Sequence, residues 1–219
     1  MVRPRQALLT RQRIVEVATT IIDSEGLDAL STRRLATELD VRAPSLYNHF
    51  ATKEEILDAV GDAIIAQVDL SMFGRDPWPD ALRQWARAYR AALAAHPNIV
   101  PFLARGPGRR PAALGLADAV YGGLVDAGWP PSYATRIGAL MRYLVTGSTV
   151  GSFASGFVDD PEFYDERYPH LGGAHRLREH QQQVDEGAFE LGLRTLVDGL
   201  EREFAELTQP TPVTKARTH

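Results

Sequence analysis

The chain has 219 residues, 44% hydrophobic and 24% charged, with a mean hydropathy of −0.21 and a formal net charge of −4. That length can bury a sizeable core in one or two domains. The absence of cysteine excludes a disulfide framework, thiolate zinc sites, iron–sulfur clusters and a cysteine nucleophile. No run of about 18 apolar residues is present, so no transmembrane helix is expected. The basic segment Met1 to Thr10 lacks the apolar core of a secretory signal, and a cytoplasmic location is expected.

Charge is unevenly distributed. Residues 1–53 carry eight Lys/Arg against six Asp/Glu, a net +2, whereas the remainder is −6. A mildly basic head on an acidic body is compatible with a head that faces phosphate.

Nearly every segment has helical periodicity. From Arg11 to Glu25, Ile14, Val17, Ala18, Ile21 and Ile22 form an i, i+3, i+4, i+7, i+8 stripe, and Gly26 follows as a stop. Ser31 or Thr32 caps a short helix with Leu35, Ala36 and Leu39 inward. Asp40-Val41-Arg42 forms a turn. A second short helix starts near Ala43-Pro44, with Leu46 and Phe50 buried. Thr52-Lys53-Glu54-Glu55 is a capping box opening a helix whose inward residues are Ile56, Leu57, Val60, Ile64 and Val68.

Gly74 to Pro79 breaks the pattern. Helices are then expected from Pro79 to about Ala95, as one turn between Pro97 and Pro101, after a Gly106–Pro111 loop and ending at Gly128, from Ser132 to about Ser155, and over roughly 185–207. Residues 158–174 look like a loop or insert. The tail from Gln209, rich in prolines, is expected to be disordered. The expected architecture is all-α: a three-helix helix-turn-helix head over 1–55, a larger helical bundle over 56–207, and a tail over 208–219.

Two short helices about a tight turn, followed by a capped helix, match the helix-turn-helix pattern. The outward residues of the second short helix are Pro44, Ser45, Tyr47, Asn48 and His49, small or hydrogen-bonding side chains suited to a groove. Arg33, Arg34, Arg42 and Lys53 surround them within reach of phosphates. The plainer alternative is a helical corner with a solvated polar face.

The run from Leu30 to Leu57 closely resembles the DNA-binding head of TetR-family transcriptional repressors. Its Leu46-Tyr47-Asn48-His49-Phe50, with Lys53 four past the histidine, matches that family's hallmark. Residues 187–200 resemble the last helix of the tetracycline-repressor branch. The resemblance implies that Thr32, Tyr47, His49 and Lys53 hold the phosphate backbone. Arg33 would reach a guanine edge, and Ala43, Pro44 and Ser45 would face bases. Ala43 offers only a methyl, so the operator is expected to differ from the tetracycline operator. Four phosphate contacts per head would give a salt slope of roughly −7 for two heads.

The resemblance also implies a homodimer on a near-palindromic double-stranded DNA operator, paired through the last two long helices. The small-residue stretch Gly147 to Gly156 would let those helices approach, and the stripe from Phe189 to Phe204 would supply buried area. Monomeric core packing is the alternative reading of the same stripe. Trp85 and Tyr89 fall where the branch's pocket helix faces its ligand, with Phe102, Leu103 and Tyr143 as further candidates. The positions of the tetracycline–magnesium ligands carry Asp69, Trp85, Leu103 and Gly151, which implies a more apolar or aromatic small-molecule effector.

No metal or cofactor is expected. His170, His175 and His180 turn about 140° per step on a helix, and the acids around Asp159 lack calcium-loop spacing. No phosphate loop, dinucleotide fingerprint or nucleophile elbow is present, so no enzyme is expected. The remaining rival is a helical protein-interaction module with a structural helix-turn-helix.

Overall fold

The computed structural model describes residues 9–106, 108–164 and 167–209. Among them the chain forms α-helices and short 3-10 turns, with no strand. The expected disorder of the tail falls almost wholly on 210–219, outside the described residues.

Head helices start by side-chain capping. Helix α1 (Arg11–Glu25), α2 (Thr32–Glu38) and α4 (Lys53–Ile65) begin after Thr10, Ser31 and Thr52. Each hydroxyl accepts the backbone N–H three residues on, at 3.1 Å. Glu55 reaches back to the Ala51 N–H at 2.9 Å, one residue earlier than a strict capping box requires. Helix α3 (Ala43–Tyr47) instead has proline in its first turn. Between α2 and α3, Asp40 takes a left-handed φ of 52°, a conformation Asp tolerates because its short side chain bonds locally.

Body helices start on proline. Helices α5 (Trp78–Ala94), α7 (Pro111–Asp126) and α8 (Pro131–Gly147) carry proline at their first or second position and no capping bond from their own N-cap side chain. The short α6 (Val100–Leu103) and the long α9 (Gln181–Thr208) complete the set.

Two expected bounds change. Helix α8 ends at Gly147, not near Ser155. The Ser148 hydroxyl turns back onto the Val145 carbonyl and the Thr149 hydroxyl onto those of Val145 and Thr146. The small residues 148–156 therefore lie outside that helix. Residues 148–164 and 167–180 run irregularly, with short 3-10 turns, before α9 starts at Gln181. Val68 is buried as expected but lies beyond the end of α4.

One apolar core runs from Ile14 in the head to Val197 in the body. Helix α4 joins the two: it packs on α1 in the head and on α5 and α7 in the body. A second joint lies at the end of α1. The Asn98 amide donates to the Ile22 and Asp23 carbonyls at 2.9 and 3.1 Å, satisfying the open last turn, and His96 Nδ1 lies 2.8 Å from Asp23.

Candidate DNA-binding face and ligand cavity

The head's inward residues Leu35, Ala36, Leu46 and Phe50 are buried against α1. This leaves one face of α2–turn–α3 outward. Tyr47 is 55% exposed. Arg33, Arg42, Pro44 and Asn48 are exposed, while Thr32, Ala43, Ser45, His49 and Lys53 are half-buried. The structure thus gathers the ten sequence-derived residues around one short helix and its flanks. The flanks are braced: the Arg11 guanidinium sits 3.9 Å over the Phe50 ring and donates to the His49 carbonyl. Lys53 Nζ lies 3.5 Å from the Leu27 carbonyl. Arg34 differs from its neighbour Arg33. It pairs with Glu25 at 2.9 Å and Glu38 at 2.7 Å, so its charge is committed within the head.

The body holds a partly open cavity of about 760 Å³, within the usual range for small-molecule sites. Small residues make the room. Ala113, Gly115 and Ala117 of α7 and Ala134, Gly138 and Ala139 of α8 line it. A Cβ added at Gly115 or Gly138 would meet nothing within 4 Å. Trp85 and Tyr89 of α5, stacked at 5.8 Å, and Leu103 of α6 form another wall.

Phe102 and Tyr143 do not line the cavity. Phe102 packs beneath the Arg105 and Arg110 guanidiniums, and Tyr143 points outward, 72% exposed. The sequence reading missed Arg110 and Arg142. Arg110, in the loop before α7, is only 4% exposed; Arg142 of α8 is half-buried. The one signal was Arg142 lying four residues after Gly138 on the same helical face.

Helix α4 touches the cavity wall. Asp62 Oδ1 accepts the Ala112 N–H at 2.7 Å, capping α7 from a neighbouring helix. A Cβ at Gly61 would meet Leu103 Cδ2 at 2.5 Å, so α4 and α6 meet only because residue 61 is glycine. Asp62→Ala leaves an N-terminal amide of α7 without its acceptor. It is expected to lower stability by about 0.5–2 kcal/mol, read as a shifted urea midpoint at unchanged slope.

A helix-turn-helix head joined by one shared helix to a helical body with a cavity of small-molecule size is the build of a DNA-binding transcriptional regulator. This chain belongs to the TetR family. The N-terminal profile of bacterial regulatory proteins of the tetR family matches residues 14–60, and the tetracyclin repressor-like C-terminal domain matches 72–204. The chain is 33% identical over 141 residues to an HTH-type transcriptional regulator of Saccharopolyspora erythraea, covering 64% of this chain and 60% of that protein. It is 32% identical over 204 residues to the tetracycline repressor protein class C of Escherichia coli, covering 89% and 91%. The solved structure of the Streptomyces coelicolor TetR family protein ActR in complex with actinorhodin superposes with a TM-score of 0.71 at 27% identity, over 90% of this chain and 99% of that one.

Proposed function

We propose that this regulator is a homodimeric repressor that reads a near-palindromic operator with its 1–55 heads. A small, largely apolar or aromatic effector, bound in the 56–207 body, releases it. The observation that carries this reading is the open face of α3. Tyr47 and Asn48 stand free beside Arg33 and Arg42, which lack an acidic partner within 4 Å among the described residues. A merely structural helix-turn-helix gains nothing from such a face.

The cavity supports the effector half of the reading. Of the positions that correspond to tetracycline–magnesium ligands, Trp85 and Leu103 line the cavity, and Asp69 is bound to Ser71 at 2.9 Å instead. Such residues favour an effector other than tetracycline–magnesium. Release follows if the effector binds best to a body whose heads no longer match one DNA face. A hundredfold loss of operator affinity corresponds to about 2.7 kcal/mol of coupling, shared reciprocally between the two sites.

The test is selection of bound genomic fragments by the purified protein at physiological salt, with Arg33→Ala and Tyr47→Ala proteins alongside. A near-palindromic motif is expected for the native protein. Arg33→Ala is expected to weaken discrimination at one base position by about 1–3 kcal/mol per half-site. No enriched motif at any salt would return the head to a structural role.

A further inference from the structure

The cavity that the proposed function assigns to an effector is unevenly furnished. Its apolar wall is Trp85, Leu103, Leu116 and Val120, but its polar groups are dominated by donors. Arg110 is almost fully buried. Its Nη1 reaches Asp58 at 3.4 Å and its Nη2 donates to the Gly106 carbonyl, yet its Nε has no partner among the described residues. Trp85 Nε1 is likewise buried and unpartnered.

Arg142 approaches from α8. One of its nitrogens donates to the Leu103 and Ala104 carbonyls at 3.1 and 3.2 Å. Its other terminal nitrogen lies 3.9 Å from where a Gly106 Cβ would sit. The two guanidiniums therefore converge on Gly106, and both are close enough to Tyr89 to oppose the rise that burial imposes on its phenol.

The acids are few and peripheral. Asp58, half-exposed on α4, faces Arg110 alone. Asp118 is the one acidic lining residue and is exposed. No carboxylate lies within 4 Å of Arg142 among the described residues. Burying the Arg110 guanidinium, with the half-buried Arg142 beside it and one half-exposed acid, is costly unless another anion completes the set.

We propose that the cavity selects an organic acid: an aromatic or apolar body carrying a carboxylate or comparable oxyanion, received by Arg110 and Arg142. The apolar wall takes the body. The oxyanion supplies the acceptors that these donors lack, as a charge-assisted hydrogen bond. This inference rests on the effector reading above, and the experiment separates the two.

The probes are anilinonaphthalene sulfonate and phenylnaphthylamine, the same aromatic amine with and without the oxyanion. Both are titrated by fluorescence against the native protein and against Arg142→Gln, Arg110→Gln and Gly138→Phe. The last fills the cavity from a position with open space around it. The native protein is expected to bind the sulfonate about tenfold more tightly than the neutral amine. Arg142→Gln and Arg110→Gln are expected to remove that preference, and Gly138→Phe to lose both probes. If both probes bind in the cavity and the neutral one binds as tightly, the acid-selective reading is overturned and the effector site stands. If neither binds, or if Gly138→Phe changes nothing, the effector site itself is overturned. The native comparison needs no variant, so a poorly folded Arg110→Gln protein does not obscure the result.

Discussion

Leu191→Glu is expected to give a folded monomer that no longer holds its operator. Leu191 is 55% exposed on α9, between the small or polar outward residues Ala188 and Thr195. On α8, Leu140 and Tyr143 are also exposed. The two helices meet where Leu144 approaches Gly192, with 3.1 Å from its Cδ1 to the position of an added Cβ. Outward apolar residues therefore flank that contact on both helices. A single exposed leucine needs no explanation, but three large apolar side chains on two adjoining helices are what the proposed dimer would cover. In a two-fold dimer each patch meets its own copy, so one substitution places two carboxylates in the interface. An unpaired buried charge costs several kcal/mol, more than such a patch returns. Monomeric core packing would leave Leu191→Glu nearly neutral, because the residue already faces water. One head in place of two would lose about a thousandfold in operator affinity, the span between specific and non-specific binding. Sedimentation and operator titration together decide it. A native-like melt, half the native mass and lost binding are expected, and a persisting dimer would falsify the α8–α9 interface.

Much of this fold is written in local chemistry. The starts of α1, α2 and α4 follow from the hydroxyls of Thr10, Ser31 and Thr52, each of which needs only its own next three residues. The inward stripes of α1 and α4 follow from periodicity alone. The end of α8 does not. Its apolar pattern continues through Val150 and Phe153, and the helix stops because Ser148 and Thr149 compete for its last carbonyls.

The cavity was half legible for a similar reason. Trp85, Tyr89 and Leu103 came from the resemblance. Arg142 and Tyr143 are neighbours about 100° apart on one helix, and which of them faces inward depends on how α8 rests against α6 and α7. Residue type alone favours the aromatic side chain as the pocket residue. The packing turns the arginine inward to the Leu103 and Ala104 carbonyls and sends the tyrosine out. Arg110 was hidden more deeply, because nothing in a Gly-Pro-Gly-Arg-Arg-Pro loop marks which arginine is buried.

The second large effect concerns what fastens α9 to the body. Two devices are present. One is a row of ion pairs: Arg83 with Asp198 and Glu201, each at 2.9 Å, and Arg87 with Glu190 at 2.8 Å. The other is an aromatic knot, with Trp129 centred 5.3 Å from Trp78, 4.9 Å from Phe204 and 5.7 Å from Tyr133. It ties the starts of α5 and α8 to the end of α9. Magnitudes favour the knot. Arg87 and Glu190 are about half exposed, so their pair contributes about 0–1 kcal/mol. Trp129 is fully buried, and Trp129→Ala is expected to cost about 3–5 kcal/mol, a large share of a total of about 5–15. At about 2–4 °C per kcal/mol that lowers Tm by roughly 6–20 °C.

Trp129→Phe is expected to cost much less than the alanine change. It keeps most of the ring area and removes an indole N–H that is buried without an acceptor among the described residues. Glu190→Gln should shift Tm only slightly, and mainly at neutral pH. The Arg87 hydrogen bond holds the Glu190 carboxyl below its ordinary range. Its small contribution is therefore present above the unfolded value of about 4.3 and fades as pH falls through the lowered folded value. Thermal melts of the three variants at neutral pH and near pH 4, at one protein concentration because the proposed dimer would make Tm concentration-dependent, rank the two devices. Equal losses in Glu190→Gln and Trp129→Ala would mean that α9 is held by charge, and that the aromatic knot only fills space.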